Sequence, residues 1–375
     1  MKKLKILYIT TVGETMAFFK SFIKELYTMG NTVDIACNYK ESIVPECYKE
    51  LGCQIFYLPC SRVPFDGGNI TAARKIHRLV GKKGYDIVHC HTPIAAFCTR
   101  IACINIRRHG TKVFYTAHGF HFYTGASLKN WLVYYPVEWL CSWWTDVLIT
   151  INREDYERAK IHLHAKKTEY VPGVGIDLIK FNNVDCNKKR MRNELGLMNT
   201  DIMLLSVGEL NENKNHIIVI EALGMIKKEC PNIFKKLYYF VAGDGKNKLV
   251  IEKLAEKKGI REHVKLLGVV DNIPEFLSIA NIFLLPSKRE GLNVSLMEAM
   301  ASGLPCIVSD IRGNRDLIRD DAGGKRVGSE DVRGWMRAIV ELTQNIKSEG
   351  FYNLDLVSKF SIENVKKKLY KIYFQ

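Results

Sequence analysis

Short apolar runs alternate along the chain with longer stretches whose apolar residues recur at helical spacing. KILYIT opens as a strand. Residues 15–29 follow as a helix, with Phe18, Phe19, Phe22, Ile23 and Leu26 at i, i+3, i+4 steps. NTVDIAC, QIFYLP, DIVHCH, KVFYTAH and DVLITI read as further strands, separated by helical stretches such as 69–80 and 93–108. Such alternation predicts a parallel sheet covered by helices on both faces. After EYVPGVGID the pattern stops, and the polar stretch 177–200 reads as a linker. It then restarts: IMLLSVG, a helix over 214–230, KLYYFVAG, a helix over 247–258, and the later strands HVKLLG, NIFLLP and PCIVSD. Both halves open as strand, glycine-bearing turn and helix.

The expected fold is therefore α/β, two doubly wound domains facing each other across a cleft. The expected boundaries are 1–176 for the first domain, 177–200 for the linker, 201–358 for the second domain and 359–375 for a closing helix. That last segment, FSIENVKKKLYKIYF, puts Ile362, Val365, Leu369 and Ile372 on one face, expected to dock back on the N-terminal domain. In such sheets ligands bind beyond the carboxyl ends of the strands, which makes the cleft the default site.

Composition narrows the class. The 375 residues are 47% hydrophobic and 25% charged, which excludes disordered and fibrous chains. Eleven cysteines are scattered with no CxxC pair, and the N-terminus carries no secretory pattern, so a reducing, cytoplasmic location is expected. Net charge is +15, with 23 basic against 14 acidic residues over 1–175. The excess favours anionic partners. No stretch is long and apolar enough to span a bilayer; the nearest, 131–149, is broken by Pro136, Glu138 and Asp146.

The most informative stretch is LLPSKREGLNVSLMEAMASGLPCIVSD, residues 284–310. A strand ends at Pro286, a loop carries Glu290 and Gly291, and a helix runs from near Asn293 to about Ala301, stopped by Gly303 and Pro305. The amides of Gly291, Leu292 and Asn293 beside a positive helix end make a diphosphate cradle. Glu290 and Glu298 flank it, placed to accept hydrogen bonds from sugar hydroxyls. A lone pair of glutamates at this spacing is common by chance; the strand, glycine, helix start and helix stop around it favour function. His118 follows the strand KVFYTA and can hydrogen-bond a sugar hydroxyl or steady a developing charge. The neighbouring His121 is not separable from it by pattern alone. His89 and His91 share one strand face, but no second ligand pair accompanies them, so no metal site is expected.

At these residues the chain resembles the family 4 retaining glycosyltransferases of GT-B fold, over nearly its whole length. EGLNVSLMEAMASGLP resembles that family's donor site. SVGELNENKNH resembles its loop in which a lysine, here Lys214, contacts the donor diphosphate. FVAGDGK and VPGVGID match its AGDG turn and hinge entry, TAHGFHFYTG its histidine-glycine element, which picks out His118, and Gly13 its N-terminal glycine loop. The resemblance implies His118 and Glu290 as catalytic residues. Gly13, Lys214, Gly291, Leu292, Asn293 and Glu298 are implied as donor-binding residues. Two departures stand out. Glu209 occupies a position often held by arginine, so one cationic contact to the diphosphate is expected to be missing or supplied elsewhere, with Arg289 and Arg315 the candidates. The N-terminal loop has one glycine where many members have two.

No Asp-x-Asp pair, no GxxxxGK[ST] and no complete GxGxxG occurs. No cofactor or metal is therefore expected, with protein cations and a helix dipole stabilising the leaving nucleoside diphosphate. The resemblance implies sugar transfer, of a hexose or N-acetylhexosamine, from a nucleotide-sugar, expected to be UDP-linked. The implied acceptor is a lipid-linked saccharide of bacterial capsule, exopolysaccharide or lipopolysaccharide. Same-face attack is favoured over a covalent intermediate. The aromatic run WLVYYPVEWLCSWW, 131–144, reads mainly as core, with shallow peripheral contact at the cytoplasmic membrane face open to a minority of its rings. A UDP-sugar epimerase of similar build is the alternative enzyme. A basic nucleic-acid-binding protein is the alternative outside enzymes, and no nucleic-acid motif supports it.

Overall fold

In the computed structural model of the chain, the structure describes residues 3–182, 184–319, 323–345 and 353–374. Among these described residues thirteen strands form two sheets. The first comprises β1 (Lys5–Val12), β2 (Thr32–Asn38), β3 (Ile55–Tyr57), β4 (Ile87–His91), β5 (Lys112–Ala117), β6 (Val147–Thr150) and β7 (Lys167–Tyr170). The second comprises β8 (Ile202–Val207), β9 (Leu237–Ala242), β10 (Val264–Gly268), β11 (Ile282–Leu285), β12 (Cys306–Ser309) and β13 (Gly324–Val327). Their orders are β3-β2-β1-β4-β5-β6-β7 and β10-β9-β8-β11-β12-β13, with every paired strand parallel.

The apolar runs are continuous because both faces of each sheet are covered. In β1, Leu7 and Ile9 point to a core closed by helices Gly67–Lys83, Pro93–Ala102, Leu128–Ser142 and Arg153–His162. Ile6 and Tyr8 point the other way, to Lys20–Thr28 and the terminal helix Ile362–Phe374. In the second sheet Leu204, Val241, Leu284 and Ile307 face helices His216–Glu229, Lys248–Lys257 and Val332–Gln344. The alternating Met203, Leu205, Phe283 and Leu285 are buried as well.

The chain divides into two compact units. One runs to Val174 and takes in the chain again from Val365; the other spans Gly175–Asn364. Residues 177–200, polar enough to read as a linker, hold helices Leu178–Asn182 and Lys188–Glu194, with Phe181 and Leu197 buried, inside the second unit. The terminal helix buries Val365, Ile372 and Tyr373 in the first unit's core, each worth about 1.5–3 kcal/mol. Among the described residues no helix is long and apolar enough to cross a membrane.

Candidate active site

Each sheet reverses its strand order once, between β1 and β4 in the first and between β8 and β11 in the second. The loops leaving those strands diverge to opposite sides, which opens a crevice at the carboxyl ends. Two residues other than glycine have left-handed backbones among the described residues, and both lie at these points. Thr92 (φ 67°) follows β4, and Asn215 (φ 54°) follows the loop after β8. Each is strained by about 1–3 kcal/mol and is held by its surroundings. Thr92 Oγ1 bonds Thr11 Oγ1 at 2.7 Å, and Asn215 Nδ2 donates to the carbonyls of Pro286 and Ser329 at 3.2 and 2.9 Å.

In the second unit the loops after β8 and β11 are stitched together. The Lys288 amide donates to the Asn213 carbonyl at 2.7 Å, and Asn213 Nδ2 to the Arg289 carbonyl at 3.0 Å. Gly243 fits because a Cβ there would stand 2.0 Å from the Gly208 carbonyl oxygen. This stitching brings Lys214 Nζ to 2.7 Å from Glu290 Oε1, an ion pair with both side chains mostly buried. Such a pair is strong only where both charges are otherwise satisfied, and an incoming anion would compete for the lysine.

Beyond Glu290 the chain enters helix Val294–Ala301, capped by Asn293, whose Oδ1 accepts from the Leu296 amide at 2.9 Å. Leu292 and Asn293 are buried and Gly291 is half-buried. Glu298 lies inside that helix, mostly buried, and burial raises its pKa to about 7, with Lys180 pulling the other way. Lys214, Glu290, Gly291, Leu292, Asn293 and Glu298 thus lie on the loops and helix at one switch point.

Of the two candidate arginines for the cation missing at Glu209, Arg289 is exposed, and Arg315 pairs with Asp310 at 2.7 Å. Arg312 is the nearer group: it is buried, and its Nε donates to the Glu290 carbonyl at 3.1 Å. Gly313 beside it leaves room for the loop, since a Cβ there would stand 2.1 Å from the Gly291 carbonyl oxygen. The sequence signal for Arg312 is its place two residues after the strand PCIVSD, next in the sheet to β11.

In the first unit Gly13 begins the turn after β1, and a Cβ there would meet the Ser42 carbonyl oxygen at 2.6 Å. His118 follows β5, and its Nε2 stands 3.2 Å from Nδ1 of His91. Burial lowers its pKa to about 4, so it is neutral at pH 7. His121 instead stacks on Tyr134, ring centres 4.4 Å apart, so the two histidines occupy different settings. His89 is held by Tyr373 and by Thr116 Oγ1, the latter at 2.8 Å, and Tyr373 in turn bonds Tyr8. Burial lowers the pKa of His89 to about 3 and that of His91 well below the usual range. Nε2 of His91 is buried without a hydrogen-bond partner. Gly13 and His118 belong to the first unit and the other candidates to the second.

Known proteins are similar to this chain in sequence and in fold. Residues 187–349 match the model of glycosyl transferases group 1, and residues 5–152 that of glycosyl transferase 4-like domains. EpsD of Bacillus subtilis (strain 168) is 38% identical over 341 residues, covering 90% of this chain and 87% of EpsD. A UDP-Gal:alpha-D-GlcNAc-diphosphoundecaprenol alpha-1,3-galactosyltransferase of Escherichia coli is 28% identical over 99% of this chain and 97% of its own. Anabaena HepE, solved in complex with UDP, shares the fold at a TM-score of 0.78 and 16% identity, over 99% of both chains. With two parallel Rossmann-like sheets and both family models matched, the chain belongs to the family 4 glycosyltransferases of GT-B fold and is a glycosyltransferase.

Proposed function

We propose that this enzyme transfers a hexose or N-acetylhexosamine, with retention of configuration, from a UDP-sugar to a lipid-linked saccharide in the building of a bacterial surface polysaccharide. The observation that carries the reading is the Lys214–Glu290 ion pair at the β8/β11 switch point, beside the amides of 291–293. A diphosphate entering there takes Lys214 as counter-ion. That frees the Glu290 carboxylate to accept hydrogen bonds from the sugar. Glu298, further into the same helix, is assigned to the ribose hydroxyls. Charge grows on the diphosphate as the glycosidic bond breaks, so a fixed cation and a helix N-terminus stabilise the transition state more than the bound donor. Neutral His118 is assigned to the transferred sugar, as a hydrogen-bond partner rather than a charged acid.

A covalent intermediate would need a carboxylate at the anomeric carbon, whereas Glu290 is assigned to the sugar hydroxyls, which supports same-face attack assisted by the leaving phosphate. Transfer is proposed to need no metal, since Lys214 fills the role a divalent cation would take and the sequence has no Asp-x-Asp pair. The lipid-linked acceptor is supported by the relation to the undecaprenol-dependent galactosyltransferase. Eleven free cysteines support a cytoplasmic setting, against the membrane's inner face.

Lys214→Ala tests the reading. It should cost about 1.5–3 kcal/mol of transition-state stabilisation, the scale of a hydrogen bond to a charged group, seen in turnover as well as donor affinity. Lys214→Arg should keep part of the activity, because charge is retained while geometry changes. Kinetic constants within about twofold of wild type for the alanine variant would reduce Lys214 to a surface residue.

A further inference from the structure

His118 opens a stretch, 118–127, that is neither strand nor helix and joins β5 to helix Leu128–Ser142. Two of its glycines, Gly119 (φ 137°) and Gly125 (φ 92°), hold backbones that residues with a side chain rarely adopt. So permissive a segment does not fix a side chain by itself, yet a group that acts on substrate has to be held to about half an ångström. The conformation of the loop is therefore set from outside it. On one side Phe120 and Phe122 are buried and stacked, 4.7 Å between ring centres.

The other anchor is the start of helix Arg153–His162, which follows β6, the neighbour of β5 in the sheet. Asp155 Oδ2 accepts from the Phe120 amide at 3.0 Å, two residues beyond His118. The same oxygen accepts from Asn152 Nδ2 at 2.8 Å, and Asn152 Oδ1 accepts from the Asp155 amide at 2.8 Å, which caps the helix. Glu154 Oε1 accepts from the Thr124 amide at 2.8 Å. Arg158 pairs with Glu154 at 3.1 Å and donates to Thr124 Oγ1 at 3.2 Å, its guanidinium lying over the Trp131 ring. Asn152 and Asp155 are fully buried. A buried carboxylate is costly unless hydrogen bonds satisfy it. Capping alone would need Asn152 and no acid, so the carboxylate is matched to the amide that the loop brings to it. It also sits at a helix N-terminus, where negative charge is favoured.

We propose that Asp155, supported by Glu154, is the positioning residue of His118: it grips the loop two residues beyond the histidine and holds the imidazole where it meets the transferred sugar. The role rests on the assignment of His118 to that sugar. The donor-binding candidates other than Gly13 lie in the second unit, so the clamp should bear on turnover and leave donor affinity alone.

Asp155→Ala should lower kcat about tenfold with the UDP-sugar KM within about twofold of wild type. Asp155→Asn, whose amide oxygen can still accept from Phe120, should recover most of the loss. Glu154→Ala, at a half-buried position with less risk to the fold, should lower kcat about threefold by the same route. In a His118→Ala background each alanine substitution should cost less than about twofold more, because the group they position is gone. NMR of the wild type and of Asp155→Ala with isotope-labelled histidine should show the His118 ring signals moved or broadened, and those of His216 and His263 in the second unit unmoved. Circular dichroism melts check that each variant is folded at the assay temperature. Equal losses with and without His118, a rise in KM in place of a fall in kcat, an asparagine variant no better than the alanine one, or unmoved His118 signals would overturn the proposal. Wild-type turnover of His118→Ala would overturn the His118 assignment along with it. A large loss in His118→Ala beside wild-type turnover in Asp155→Ala and Glu154→Ala would overturn the clamp alone.

Discussion

Glu298 and His91 show how burial sets chemistry at single positions. A carboxyl whose pKa rises from 4.5 to about 7 on folding binds more protons folded than unfolded between those values. Glu298 therefore leaves stability untouched below about pH 4.5, and the loss grows to its full size, up to about 3 kcal/mol, as pH rises past 7. Urea melts of Glu298→Gln and wild type should diverge over that window, the variant being the more stable on the alkaline side. UDP affinity should strengthen as pH rises through about 7, because the ionised carboxylate is the better acceptor for ribose hydroxyls; titration calorimetry across that range reads it. His91 acts on His118 through one hydrogen bond. With its far nitrogen buried and partnerless, the cheaper arrangement leaves that atom a bare lone pair. Nδ1 of His91 then donates to Nε2 of His118, and His118 keeps its proton on Nδ1. His91→Ala should lower kcat about tenfold with donor KM nearly unchanged, and His91→Asn, which can still donate, should recover part of the loss. The sequence made Lys214 and Glu290 visible as separate motif positions. Their contact depends on two loops 76 residues apart being stitched by Asn213, and no local pattern encodes that.

At the scale of elements, periodicity found the buried strands and missed two on the edges. β7 is KTEY and β13 is GKRV, each at the end of its sheet and paired on one side. An edge strand can leave charged side chains in water, so the apolar run that marks a central strand is absent. Composition failed at 177–200 for a related reason. Short helices with a single buried anchor, such as Phe181, look like polar linker. The terminal helix was legible as an amphipathic segment, but Tyr373 was not part of the expected face. Its hydroxyl bonds Tyr8 and His89, tying the end of the chain to the floor beneath His91. Tyr373→Phe should cost about 1–3 kcal/mol, because the hydroxyls and imidazole it leaves are buried. Truncation after Ser361 should unfold the first unit outright, since three buried side chains at about 1.5–3 kcal/mol each approach a domain's whole stability. Circular dichroism melts of the two proteins separate the cases.

Across the whole molecule, two parallel sheets with one order reversal each determine where chemistry can sit, and both strained residues, Thr92 and Asn215, mark those reversals. The alternation of elements made the two-sheet architecture readable, whereas the positive charge could be placed only once the helices were in space. Its exposed share on 67–83 and 93–109 faces away from the core. If Lys214 serves where other enzymes use a divalent cation, transfer should persist in EDTA, and Mg²⁺ or Mn²⁺ should not raise it. The most direct measurement of the central claim incubates the purified chain with a panel of radiolabelled UDP-sugars, with and without a lipid-diphosphate-linked saccharide, and determines the anomeric configuration of the product by NMR. One UDP-sugar should give a labelled lipid product, dependent on the acceptor, with the donor's configuration kept. Conversion of a UDP-sugar to its epimer without acceptor, or a product of inverted configuration, would contradict it.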